Sequence, residues 1–91
     1  MGSVIVTYKI FPEDIVPDFE PMKKELAAKL PEFAEIMGYG EEEVAFGLKA
    51  LLLQVKFPED QTGIVDELET TLATIKGVSQ VQTLFVRRSS R

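Results

Sequence analysis

One tetrapeptide, Phe-Pro-Glu-Asp, occurs twice in the chain, at residues 11–14 and 57–60, about half a chain length apart. Each copy follows a run of alternating or apolar residues and precedes residues with helical spacing. A repeat of this kind indicates two similar supersecondary units laid end to end. Because 91 residues have room for only one compact domain, we expect a single domain over residues 1–91 that is built from two related halves.

Each half has the pattern of a strand, a helix and a second strand. Alternation and branched residues indicate the strands, and apolar residues three and four positions apart indicate the helices. The predicted strands cover Ser3–Phe11, residues 33–39, Ala45–Phe57 and Val78–Val86, and the predicted helices cover Phe19–Leu30 and Ile64–Ile75. Two right-handed units of this kind that share one sheet form an α+β, ferredoxin-like βαββαβ sandwich, with a four-stranded antiparallel sheet and two helices on one face.

The composition excludes several functions. The chain has no Cys, His or Trp, which removes thiolate zinc sites, His-activated nucleophiles and imidazole acid-base catalysis. A net charge of -5 argues against direct binding of nucleic-acid phosphate, and no apolar run approaches the ~20 residues that cross a bilayer. We therefore expect no catalytic residue, cofactor or bound metal, and no nucleic-acid or membrane partner, in a cytoplasmic protein.

Two segments have no counterpart in the other half. The first, EEEVAFGLKAL (41–51), leads into the third strand, where Phe46 falls on the face that carries Gln54 and Lys56. Phe46 is either an exposed aromatic anchor or is buried because Gly47 introduces a bulge or a close backbone approach. The second, FVRRSSR (85–91), holds all three arginines in a short basic tail over residues 87–91. This tail is either frayed or a basic tip that faces a partner.

Both segments carry a resemblance to a known family. The block VAFGLKAL, the terminal VRR, and the order and length of the elements resemble archaeal translation elongation factor 1-beta and the guanine nucleotide exchange domain of its eukaryotic counterpart. The resemblance implies a factor that promotes exchange of GDP for GTP on elongation factor 1-alpha, the GTPase that carries aminoacyl-tRNA. The family's exposed Phe falls on Phe46, beside Gly47. Its basic residue at the nucleotide site falls on Arg88, with Arg87 as the alternative.

The resemblance also implies how the two segments act. The third and fourth strands run parallel in this topology, so Phe46 and Arg88 should lie about 25 to 30 Å apart at opposite ends of the sheet. One pocket cannot contain both, but a clamp across two domains of the GTPase can use both. The expected partner is elongation factor 1-alpha in its GDP-bound and nucleotide-free forms, and the chain alone is expected to be a monomer.

Other functions remain open on the sequence. The main alternative is a small ferredoxin-like ligand-binding or regulatory domain that dimerises through Ile5, Leu48 and Leu52. A sheet that stacks RNA bases would use Tyr8 and Phe85, although the net charge opposes it. The run Glu41 to Glu43 is either a solvated loop or a set of Mg²⁺ ligands.

Overall fold

A computed structural model of the chain describes residues 2–13, 19–45, 47–59 and 63–89. The elements follow the order β1 (Ser3–Pro12), α1 (Glu20–Lys29), β2 (Glu35–Ala45), β3 (Leu48–Pro58), α2 (Ile64–Ala73) and β4 (Val78–Ser89). The strands form one antiparallel sheet in the order β2-β3-β1-β4. The expected ferredoxin-like βαββαβ sandwich is therefore confirmed. No helix in the described ranges is long and apolar enough to cross a membrane.

The core lies between one face of the sheet, here called the helix-side face, and the two helices. In the centre of the sheet, Val6 pairs with Val55 and Tyr8 pairs with Leu53, and these side chains are buried. Leu26 of α1 and Leu68 of α2 belong to the same buried cluster. Because side chains alternate along a strand, the residues between these positions lie on the opposite face, here called the open face, which carries no helix.

The limits of β2, β3 and β4 differ by two or more residues from the sequence-based prediction. β2 runs from Glu35 to Ala45 rather than over residues 33–39, because the backbone of the Glu41 to Glu43 run pairs with β3 and does not form a loop. An edge strand tolerates such a charged run, because only one of its sides is hydrogen-bonded within the sheet. β3 begins at Leu48 rather than Ala45, and β4 continues past Val86 to Ser89. Arg87 and Arg88 therefore lie in a strand and not in a tail beyond it.

Tyr8 is buried in the core and not displayed on the sheet surface. Its side chain is fully buried, and its hydroxyl donates a hydrogen bond to the Val65 carbonyl oxygen at 3.0 Å. Burial raises the pKa of the Tyr8 phenol far above its usual range, and the carboxylates of Glu69 and Asp66 raise this pKa further. Tyr8 is therefore not available to stack on a base, and Phe85 alone of that pair is exposed on the sheet.

The raised pKa of Tyr8 predicts a stability loss at alkaline pH. The native state holds the phenol proton more tightly than the unfolded chain, so the stabilisation is complete below the unfolded pKa of about 10 and is lost as the pH rises above it. We expect Tyr8→Phe to lower the free energy of unfolding by about 1 kcal/mol at pH 7, because the hydrogen bond to the Val65 carbonyl is lost. Raising the pH from 7 to 10.5 should then lower this free energy less in Tyr8→Phe than in wild type. Urea midpoints at both pH values measure this. Tyr39→Phe is the control, and an equal alkaline loss in Tyr8→Phe and wild type would contradict the prediction.

Candidate partner-binding surface

Arg87 and Arg88 extend from the end of β4 on opposite faces of the sheet. Arg87 pairs with Ile5 and lies on the open face, whereas Arg88 pairs with Val4 and lies on the helix-side face. Both side chains are exposed, and among the described residues neither guanidinium forms an ion pair. Their charges are therefore available to an external anion.

An irregularity in β4 decides which arginine lies on which face. Tyr8 pairs with Thr83 but Thr7 pairs with Phe85, so Leu84 is an extra residue at a β-bulge. Regular alternation from Thr83 would place Arg87 on the helix-side face and Arg88 on the open face. The bulge reverses this assignment. Sequence reasoning missed it, because three consecutive apolar residues, 84–86, fit either register.

Gly47 lies at the other end of the sheet, in the turn between β2 and β3. Ala45 pairs with Leu48 across this turn, and Gly47 has φ 79°. A left-handed backbone conformation of this kind favours glycine over any residue with a Cβ, which gives Gly47 a structural reason to be glycine. Phe46, the predicted aromatic anchor, lies outside the described residues, so its two alternatives stay predictions.

The two ends of the proposed interface are far apart. Arg88 is level with Val4 and Phe57, whereas Gly47 immediately precedes Leu48 at the start of β3. Roughly nine residue steps separate Leu48 from Phe57, which is about 30 Å at ~3.3 Å per residue. The domain measures 42 Å along its longest axis, so the two ends span most of its length. A single small pocket cannot contain both.

The acidic run of β2 is divided between the two faces. Glu42 forms an ion pair with Lys9 of β1 at 2.6 Å, and Glu41 approaches Lys49 of β3 at 3.7 Å. Because neighbouring strand residues point to opposite faces, Glu42 lies apart from Glu41 and Glu43, and the three carboxylates do not converge. Within the described ranges, no three acidic side chains are grouped closely enough to hold a metal ion.

Comparisons with known proteins match nearly the whole chain to a single family. A family model described as the EF-1 guanine nucleotide exchange domain matches residues 5–89. Elongation factor 1-beta of Staphylothermus marinus is 46% identical over 88 residues, which cover 97% of this chain and 98% of that protein. Elongation factor 1-beta of Desulfurococcus amylolyticus is 39% identical over 90 residues, covering 99% of this chain and 100% of the relative. Elongation factor 1-beta of Thermofilum pendens is 40% identical over 90 residues, or 99% of each chain.

Proposed function

The chain belongs to the EF-1 guanine nucleotide exchange domain family and promotes exchange of GDP for GTP on the translation GTPase elongation factor 1-alpha, and we propose that it does so as a clamp with two separated contacts. One contact is the β2–β3 turn, with Phe46 as the anchor and Gly47 shaping the backbone. The other is the pair Arg87 and Arg88 at the end of β4. The observation that carries the proposal is that two exposed guanidiniums without ion-pair partners in the described chain lie about 30 Å from that turn.

The arginine pair acts on the nucleotide site of the GTPase through charge. GDP is held there by its phosphates and a magnesium ion, and a cation brought close to that ion repels it more strongly where the local dielectric is low. A guanidinium also donates two parallel hydrogen bonds to a phosphate or carboxylate, so it competes for the groups that bind the metal. Both effects weaken GDP binding without any covalent step, so no residue of this chain acts as a nucleophile, acid or base.

Exchange then follows from differential affinity. A factor that binds the nucleotide-free GTPase more tightly than the GDP-bound form shifts the population toward the free form. GTP can then bind the vacant site. In this scheme the chain acts as a monomer in the cytoplasm, contacts both forms of the GTPase, and requires no cofactor and no direct contact with nucleic acid.

Release of a fluorescent GDP analogue from purified archaeal elongation factor 1-alpha, at fixed magnesium concentration, tests the function directly. We expect acceleration when this chain is present at less than one molecule per GTPase, because an exchange factor is released after each cycle. No acceleration over a concentration range, with a folded chain and an active GTPase, would contradict exchange and would favour the ligand-binding alternative.

A further inference from the structure

The open face contains a groove of about 510 Å³ beside the end of β4. Residues from three neighbouring strands line it, including Ile5, Thr7, Gln54, Phe85 and Arg87. Thr7 pairs with Gln54 on one side and with Phe85 on the other, and Ile5 pairs with Arg87. The groove therefore crosses the sheet at right angles to the strands, over two successive rows of side chains.

Phe85 is the least buried large apolar residue among those described, with 67% of its surface exposed. Ile5, which pairs with Arg87 on the same face, lies in the next row of the groove. The core does not need the Phe85 ring, because the ring lies on the face opposite the helices. Phe85 and Ile5 together give the open face an apolar patch, and exposed apolar patches that include an aromatic ring mark surfaces that partners cover.

The bulge at Leu84 places Phe85 in the groove. Without an extra residue, alternation from Val81 and Thr83 would place Phe85 on the helix-side face. The Thr83 hydroxyl, directly before the bulge, donates a hydrogen bond to the Glu69 carboxylate of α2. This hydrogen bond holds β4 against α2 at the point where the pairing register between β1 and β4 changes. The exposed ring is thus a consequence of specific pairing and does not result from a loose chain end.

We propose that this groove is a third contact with the same GTPase, and that it receives an apolar side chain adjacent to a carboxylate. The inference rests on the proposed function, because Arg87 belongs both to the tip and to the groove, which makes the two surfaces continuous. Ile5 and Phe85 supply the apolar contact and Arg87 supplies the positive charge. Although the whole chain has a net charge of -5, none of the described residues that line the groove is acidic. An acidic occupant is therefore favoured there.

Replacing Phe85 with alanine tests the apolar part of the contact. We expect the concentration of factor that gives half-maximal GDP release to rise about tenfold, because aromatic anchors dominate interface energy. The maximal rate should stay unchanged, because both arginines remain. Met37→Ala is the matched control, since Met37 is 49% exposed on β2 and does not line the groove. If wild type accelerates release and Phe85→Ala matches it in both quantities, the groove contact is overturned while the exchange function stands.

Substitutions of Gln54 by residues of opposite charge test whether the group that binds in the groove is acidic. Gln54 is exposed on β3 and lines the groove, so both Gln54→Lys and Gln54→Glu should fold. We expect Gln54→Lys to lower the half-maximal concentration about threefold and Gln54→Glu to raise it by a similar factor, with both effects reduced at high salt. Equal effects of the two variants, or effects of reversed sign, would overturn the proposed chemistry. No acceleration by wild type would instead refute the exchange function itself.

Discussion

Replacement of both Arg87 and Arg88 with alanine should lower the maximal rate of GDP release about 100-fold. Each guanidinium contributes a charge-assisted interaction of at least about 1.5 kcal/mol, so the pair contributes about 3 kcal/mol, and about 1.4 kcal/mol corresponds to tenfold in rate. The half-maximal concentration should change less than the rate, because the anchor at the opposite end of the sheet still binds. Stopped-flow release of a fluorescent GDP analogue, measured over a range of factor concentrations, separates the two quantities.

The control for net charge is Lys24→Ala/Lys29→Ala, which removes two exposed positive charges from α1 instead. This variant should exchange nucleotide at close to the wild-type rate, because α1 is not part of any of the three proposed contacts. An equal loss of rate in both double variants would indicate a general electrostatic effect. An arginine variant with the wild-type maximal rate would remove the tip from the mechanism.

Lysine replacements distinguish repulsion of the metal from competition for its ligands. Lysine keeps the positive charge but cannot donate the two parallel hydrogen bonds of a guanidinium. If charge alone acts, Arg87→Lys/Arg88→Lys should retain most of the rate, and a loss close to that of the alanine variant would assign the effect to the guanidinium geometry. The single variants show which arginine acts, since Arg87 lies on the open face and Arg88 on the helix-side face.

The fold could be predicted from the sequence because its determinants are local and repeated. Alternation along β1 and β3 separates the buried positions from the open face, and every second residue of β3 from Leu51 to Val55 is buried. The repeated tetrapeptide marks the end of a strand in both halves. Two related β-α-β units leave few ways to share a sheet, so the order of the strands follows from these local signals.

The parts that could not be predicted depend on pairing between strands. The extent of β2 is set by its hydrogen bonds to β3, which offset the low strand preference of its glycines and glutamates. The bulge at Leu84 is set by the pairing of β4 with β1, and the adjacent apolar and basic residues give no sign of it. The faces of Arg87 and Arg88, and the groove at Phe85, both depend on that bulge. The proposed interface residues are thus visible in the sequence, but their arrangement is not.

Replacement of Phe46 with alanine should raise the half-maximal concentration of factor about 30-fold and leave the maximal rate nearly unchanged. An anchor residue at an interface contributes about 2 kcal/mol or more, whereas the arginine pair, about 30 Å away, still acts once the complex has formed. Titrations of the same release assay measure both quantities. The free energy of unfolding, from urea denaturation, should change by no more than about 0.5 kcal/mol if the side chain is exposed. A loss of 3 to 5 kcal/mol would instead show that Phe46 is buried in the core.

Phe33→Ala provides the matched control, because Phe33 is 36% exposed and lies near the opposite end of β2. This variant should dock and exchange like wild type, so a comparable defect in it would mean that loss of any surface aromatic ring weakens the complex.

Combining Phe46→Ala with the arginine double variant tests the clamp itself. Sites this far apart that share no partner side chain should act independently, so the docking defect of one and the rate defect of the other should appear together at full size. A combined variant no worse than either parent would show that the two ends do not act as separate contacts, and the clamp would then be wrong even if both residues bind the GTPase.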